Sequence, residues 1–363
     1  MKLVIFGLTI TSSWGNGHAT LWRGLCKALA QRGYQIVFFE RDVSYYAGAR
    51  DFHEFPGIRV VLYPAWKDVV AFATQEIRDS DAAIVTSYCA DARPATELVH
   101  SHPRGLRVFY DLDTPVTLAR LRQDLPVDYI GPGGLTGFDL VLSFTGGATL
   151  EELRTLLGAR HVAPLYGHVD PDVHAPAPAQ AHYRSGLSYL GTYAADRQSV
   201  LEQTFVEPAR RRLEDRFLIA GAQYPADFPW SSNIYFVRHL PPSEHAAFFS
   251  SSRITLNVTR ASMAENGWCP SGRLFEAAAC QTAVLSDPWP GIEDFFTPGS
   301  EILLTSNADE TLAAMEIDDA ELARIARAAR DRVCDEHTSQ RRAHEFERLI
   351  GTATMRQPEM AEA

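Results

Sequence analysis

Three short stretches of the sequence carry residue types that can do chemistry. In Ser12-Ser13-Trp14-Gly15-Asn16-Gly17-His18-Ala19, Gly15 and Gly17 let the backbone turn tightly and approach a ligand. The helix start that follows offers free N–H groups. His18, at that start, is either a base facing an acceptor hydroxyl or a polar residue near a helix end. In Phe109-Tyr110-Asp111-Leu112-Asp113-Thr114-Pro115, two carboxylates follow an apolar run. One of the pair reads as the N-cap of a helix beginning near Pro115, which leaves Asp111 or Asp113 to position an acceptor or act as a base. The third stretch, Pro270-Ser271-Gly272-Arg273-Leu274-Phe275-Glu276, is the most informative. Ser271 and Gly272 open a helix whose exposed amides can hold a diphosphate, and Arg273 adds positive charge. Glu276 lies three residues on and so shares a helical face with Arg273. It is either an acceptor for a ribose diol or half of an ordinary Arg–Glu surface pair.

These stretches need elements to hold them. Residues 3–8 read as a buried strand, and after a polar loop Leu21, Leu25, Ala28 and Leu29 recur at helical spacing until Gly33 stops the helix. Further strands are expected near 36–39, 58–62, 82–86, 106–110 and 140–144, with helices near 69–77, 95–100 and 149–157. Runs apolar on both faces, separated by helices, imply a parallel sheet covered on both sides. Residues 164–181 are rich in Ala and Pro and read as an extended interdomain connection. Strands then follow at 188–190, 217–220, 234–237, 254–258, 283–285 and 301–304. Helices are expected at 198–213, 243–249 and 272–279, with a helical tail from 318 to 350. The expected architecture is α/β: two doubly wound Rossmann-like αβα domains facing a central cleft, with ligand at the carboxyl ends of the strands. The boundaries fall at 1–165, a linker at 166–182, a second domain at 183–335, and a C-terminal helix and tail over 336–363 that is free to cross back to the first domain.

Composition narrows the function. The 363 residues suffice for about two domains; with 46% apolar and 22% charged residues, they exclude global disorder. The balance of 34 Lys+Arg against 45 Asp+Glu, or −11, speaks against a nucleic-acid binder, which needs a basic face to displace counterions. One or two Arg residues and a helix N-terminus still suffice for a small anion. Cys26, Cys89, Cys269, Cys280 and Cys334 form no CxxC pair, so neither a disulfide framework nor a zinc site is expected, and a reducing cytoplasm suits them. The apolar start is followed by a Gly/Ser/Asn loop rather than an A-x-A site, and no run approaches a membrane span. A dinucleotide fingerprint would need a third Gly where Thr20 stands; Glu40, at the end of the second expected strand, is what remains of a nicotinamide reading. Trp230, Trp268 and Trp289 flank the loops, either to stack on a ligand or to pack in the core. His182, His245, His337 and His344 show no ligand spacing and read as surface residues.

Arg273-Leu274-Phe275-Glu276-Ala277-Ala278-Ala279-Cys280, the strand after it, Gly291-Ile292-Glu293-Asp294-Phe295-Phe296 and Pro298-Gly299-Ser300-Glu301 resemble the nucleotide-sugar half of GT-B glycosyltransferases. The likeness is nearest to the CgeB-like group, relatives of the group 1 (family four) transferases. Gly167-His168-Val169-Asp170-Pro171-Asp172-Val173-His174, Tyr189-Leu190-Gly191-Thr192-Tyr193 and Asp196-Arg197 resemble the same group, so the likeness covers most of 160–310. It implies a metal-independent transferase that passes a sugar from a UDP- or dTDP-type donor to a small-molecule, glycan or peptide acceptor, with no cofactor beyond that co-substrate. By the resemblance Glu276 binds the ribose, and Arg273 with the Ser271 and Gly272 amides binds the diphosphate. Gly191 and Arg197 approach the phosphates, His239 within Arg238-His239-Leu240 meets the base, and the Gly17 loop carries His18 where some GT-B enzymes place a catalytic base; from the residues alone, an aspartate, Asp113 among them, is the rival for that role. One departure stands out: the group 1 pattern has a second Glu eight positions before the ribose-binding one, where this chain has Trp268, with Glu265 nearby. Asp111-Leu112-Asp113 has the D-x-D spelling, but no metal site is expected there. The rival functions are a GT-B-like sugar-nucleotide epimerase and a non-catalytic nucleotide- or sugar-binding protein.

Overall fold

The computed structural model describes residues 1–52, 54–102 and 104–361, with side chains to Met355. It divides into two compact units, Met1–Tyr166 with Ser339–Ala363, and Gly167–Thr338.

The first unit is built on a parallel sheet of β1 (Lys2–Gly7), β2 (Gln35–Arg41), β3 (Ile58–Tyr63), β4 (Ala82–Thr86), β5 (Leu106–Asp111), β6 (Leu140–Ser143) and β7 (Val162–Pro164), in the order β3-β2-β1-β4-β5-β6-β7. Its central strands are apolar at consecutive positions because both faces are covered. Phe6 and its register partner Phe39 join Val85, Phe109 and Val141 under the helices Trp66–Arg78, Ala92–His100 and Thr149–Leu157. Ile5, Phe38, Ile84, Val108 and Leu142 line the other face. There they meet Trp22, Leu25 and Leu29 of the helix His18–Gln31 and Ala343, Phe346 and Ile350 of the helix Ser339–Ala361. Gly33 follows the first of these helices at φ +89°, a conformation glycine adopts without a Cβ penalty.

The second unit repeats the plan with β8 (Ser185–Leu190), β9 (Phe217–Gly221), β10 (Ile234–Arg238), β11 (Ser252–Asn257), β12 (Ala283–Ser286) and β13 (Leu303–Leu304). All are parallel, in the order β10-β9-β8-β11-β12-β13. Leu187, Tyr189, Phe217, Ile219, Ile254 and Leu256 pack against Leu201, Phe205 and Ala209 of the helical run 198–211. That run contains a π turn at Glu202–Val206, which buries Phe205 and Val206. The Pro-rich segment read as a connection lies along this unit: the Ala177 and Gln180 N–H groups donate to the Ser250 and Ser251 hydroxyls, 3.0 and 2.8 Å away.

The doubly wound α/β expectation therefore holds for both units. In each sheet the strand order reverses once, between β1 and β4 and between β8 and β11. The carboxyl ends at such a reversal open a crevice. The 8–17 loop follows β1 there, and the Gly191 loop follows β8. All five cysteines are free, and among the described residues no helix is long and apolar enough to cross a membrane.

Candidate active site

In the first unit a buried carboxylate builds the loop after β1. Glu40, at the carboxyl end of β2, is fully buried. Its Oε1 accepts from the Thr9 and Thr11 hydroxyls at 2.9 and 2.5 Å, and its Oε2 from the Ile10 and Thr11 N–H groups at 2.7 and 3.0 Å. This corrects the nicotinamide reading. Both oxygens of Glu40 are committed to the loop, so none is left for a ribose. Farther along, Ser13 donates from N and Oγ to Asp51, and Arg23 donates to the Ile10 carbonyl and to Asp51. Gly15 sits at φ +66°, with the Tyr45 hydroxyl where a Cβ would go. Gly17 is exposed with open space around it, and Asn16 Oδ1 accepts from the Ala19 N–H, 3.2 Å away, in the first helical turn.

This loop delivers His18 to Asp113. The imidazole Nε2 stands 2.7 Å from Asp113 Oδ2, with both side chains mostly buried. Asp113 occupies the N-cap position of the helix Thr114–Arg122, yet its side chain caps nothing. The capping role expected of one of the two aspartates is thus not filled by Asp113, whose carboxylate is drawn to His18. His18 Nδ1 is enclosed without a partner, and the Tyr88 ring lies edge-on with centroids 6.2 Å apart. Asp111 is fully buried behind this pair: Oδ1 accepts from the Asp113 N–H at 3.0 Å, and Oδ2 has no partner. Burial pushes its carboxyl up to about 7, so near neutrality it holds a proton part of the time. Its enclosure makes it a support for Asp113 rather than a group that meets an acceptor.

In the second unit the helix Gly272–Ala279 starts at Ser271, whose Oγ accepts from the Arg273 N–H, 3.3 Å away. Leu274, Phe275, Ala277 and Ala278 are buried, which fixes the helix against the sheet; Ser271, Gly272 and Arg273 are only partly covered. Arg273 donates to Glu276 Oε2, as their spacing on one face suggested. This is no surface pair, however, for Glu276 is only 5% exposed. Burial alone would raise its carboxyl, but the Arg273 guanidinium and the imidazoles of His174 and His245 outweigh that and hold it well below the usual range. His245 Nδ1 stands 3.7 Å from the same Oε2. Burial depresses both imidazoles, His174 to about 4.

A second part of this unit stacks three backbone segments. Gly191 follows β8, and Gly221 ends β9 at φ +156° with its missing Cβ directed into the Gly191 carbonyl. The His239 N–H donates to the Gly221 carbonyl, 2.8 Å away, and the Tyr224 hydroxyl to the Gly191 carbonyl, 3.1 Å away. His239 takes φ +53° to do so. Arg197 lies beside this loop, its Nη1 3.4 Å from the Thr192 carbonyl and its Nε enclosed without a partner.

The structure thus joins His18 to Asp113, Ser271 and Gly272 to Arg273 and Glu276, and Gly191 to His239 through Gly221. Trp268, at φ +42°, donates from Nε1 to Asp294 Oδ2 at 2.6 Å, and Glu265 is exposed. The surface reading of the histidines is corrected for His245 and His337, which are buried, the latter against Phe275 with ring centroids 4.7 Å apart. His182 and His344 are exposed as expected. Sequence spacing missed His174 and His245 as neighbours of Glu276, since three separate segments supply them.

Residues 197–348 match the glycosyl transferase-like family. No curated protein matches the chain by sequence. Among solved structures, sucrose-phosphate synthase from Thermosynechococcus elongatus superposes with a TM-score of 0.70 at 13% identity, covering 97% of this chain and 98% of that one. Anabaena HepE in complex with UDP and glucose gives 0.66 at 14% identity, with 97% and 100% covered. An alpha-glucosyltransferase in complex with UDP and a 13-mer DNA gives 0.69 at 13%, with 97% and 99% covered. The fold is that of GT-B glycosyltransferases, and the match over residues 197–348 is to a glycosyl transferase-like family, which supports the enzyme reading of the sequence.

Proposed function

We propose that this chain is a glycosyltransferase that moves a sugar from a nucleoside diphosphate donor, of the UDP or dTDP type, to the hydroxyl of a small-molecule, glycan or peptide acceptor, with no metal in the transfer step. One observation carries the donor half: a helix whose first turn is open at Ser271 and Gly272, with Arg273 beside it and an ionised, buried Glu276 one turn on. Sugar transfer builds negative charge on the departing diphosphate. Helix N-terminal amides and a guanidinium are donors fixed in advance where that charge grows, and losing one such donor typically costs about a hundredfold to a thousandfold in rate. Both contacts to Glu276 fall on Oε2, which leaves Oε1 to accept from the ribose. Gly191 and Gly221, with no Cβ between them, let the diphosphate come close to backbone, and Arg197 adds charge there. His239, whose N–H is tied to the Gly221 carbonyl, meets the base in this reading.

The acceptor half rests on His18 and Asp113. Paired at 2.7 Å, they act as one base: the imidazole spends Nε2 on Asp113 and keeps Nδ1 enclosed, so the carboxylate takes the acceptor proton while the imidazole holds it in place. The Glu40-anchored loop fixes where that pair stands. The acidic balance of −11 favours an uncharged or cationic acceptor over a polyanion.

Calorimetric titration with UDP and dTDP tests the donor assignment. Binding of a nucleoside diphosphate is expected, weakened roughly ten- to a hundredfold by Arg273→Ala, the worth of one or two charge-assisted hydrogen bonds. Absence of binding by either nucleotide, or an Arg273→Ala variant indistinguishable from the parent, refutes it.

A further inference from the structure

Behind the proposed ribose contact lies a cluster that donor binding does not explain. His174, His245 and Glu276 are all buried, and one ligating atom from each lies within 4.8 Å of the other two. His245 Nε2 is 3.3 Å from the Leu240 carbonyl. An imidazole donating there in its neutral form presents a bare lone pair from Nδ1, and that atom faces the Glu276 carboxylate at 3.7 Å with no hydrogen bond. Both ring nitrogens of His174 are enclosed without a partner as well. Acceptors therefore converge where a donor or cation is needed, and each unmet buried polar group costs about 1–3 kcal/mol.

We propose that His174, His245 and Glu276 form a binding site for a zinc-class divalent cation. Two imidazole nitrogens and one carboxylate oxygen suit zinc, whereas magnesium and calcium prefer oxygen alone. The Leu240 carbonyl holds His245 as outer partners hold a metal-bound imidazole, through the nitrogen that does not ligate. With bonds of about 2.1 Å, neighbouring ligands of a tetrahedral ion stand about 3.4 Å apart. The His245–Glu276 separation of 3.7 Å is already close to that, and with all three atoms within 4.8 Å of one another His174 closes by no more than about 1.4 Å. Arg273, whose side chain is 34% exposed, has to swing away from Glu276 for the cation to enter. Water or solute fills the fourth position.

The site itself does not depend on the donor reading; its consequence does. If Glu276 accepts from ribose, a cation that takes the same carboxylate excludes the donor, and zinc is a competitive inhibitor. The test titrates the chelator-stripped full chain with Zn2+, and in parallel with Co2+ followed by its visible ligand-field absorption. One ion per chain is expected, with nitrogen-ligated four-coordinate cobalt bands, no response to Mg2+, and loss of binding in His174→Ala and in His245→Ala. No binding by the parent, or unchanged binding in both variants, overturns the site; should a variant fail to fold, the parent's cobalt spectrum decides. Zinc at a hundred times its own Kd should raise the apparent Kd for UDP about a hundredfold. Zinc binding that leaves UDP affinity untouched would refute the ribose role of Glu276 while upholding the metal site.

Discussion

Replacing Glu40 by Ala removes the post on which the loop before His18 is hung. Four donors end on this carboxylate: the N–H groups of Ile10 and Thr11, and the hydroxyls of Thr9 and Thr11. The hydroxyls can rotate to other acceptors, but the two amides cannot, and the site is fully buried. At about 1–3 kcal/mol for each stranded amide, the variant should lose about 2–6 kcal/mol. Glu40→Gln makes the contrast. Its amide oxygen can keep both N–H groups while its NH2 donates to the two hydroxyls, now acting as acceptors. Its loss should stay below that of the Ala variant by at least about 2 kcal/mol, the lower bound for the two amides it keeps satisfied. Urea unfolding at fixed pH, read by tryptophan fluorescence and far-UV circular dichroism, measures both. An Ala variant that loses under about 1 kcal/mol, or a Gln variant as damaged as the Ala variant, would show that the carboxylate does not anchor the loop.

Asp113→Asn keeps the shape of the dyad but removes its charge, so the turnover rate should fall about a hundredfold to ten-thousandfold with UDP affinity unchanged; nucleoside diphosphate release and calorimetry separate the two. Asp111 is raised from 3.8 to about 7 by burial, so the folded state takes up a proton that the unfolded chain does not. Its contribution to stability therefore grows as pH falls from 8 to 5, by about 2–3 kcal/mol, and Asp111→Asn should flatten that part of the urea-measured pH dependence. Gly221→Ala places a Cβ into the Gly191 carbonyl at a positive φ. It should cost at least about 2 kcal/mol in urea unfolding and weaken UDP binding, whereas a neutral outcome would remove the close backbone approach from the donor site.

Much of the fold was legible because it rests on local patterns. Ile36-Val37-Phe38-Phe39 is apolar at four successive positions, and a strand covered by helices on both faces needs that. Ser271 marks a helix start because its hydroxyl can cap the amide two residues on, and the structure puts the helix there. What was not legible depends on distant pairings. Asp113 carries every sign of an N-cap, yet its side chain goes to His18, 95 residues away. Glu40 ends its strand where a ribose-binding acid would, and only the structure shows both oxygens taken by the β1 loop. The pattern of Ala343, Phe346 and Ile350 announces an apolar helical face without saying that Trp22 and Leu25 of the first unit receive it. His174 and His245 look like isolated polar residues until the fold sets them beside Glu276.

The central claim is that the start of the helix Gly272–Ala279 receives the leaving diphosphate of a sugar donor. Turnover of a panel of UDP- and dTDP-sugars with mixed acceptors, following nucleoside diphosphate release together with the mass gain of the acceptor, tests it most directly. At least one donor should turn over, with kcat/KM lowered about a hundredfold or more in Arg273→Ala. A parent enzyme that releases no nucleoside diphosphate from any donor, or an Arg273→Ala variant with parental kcat/KM, would contradict it.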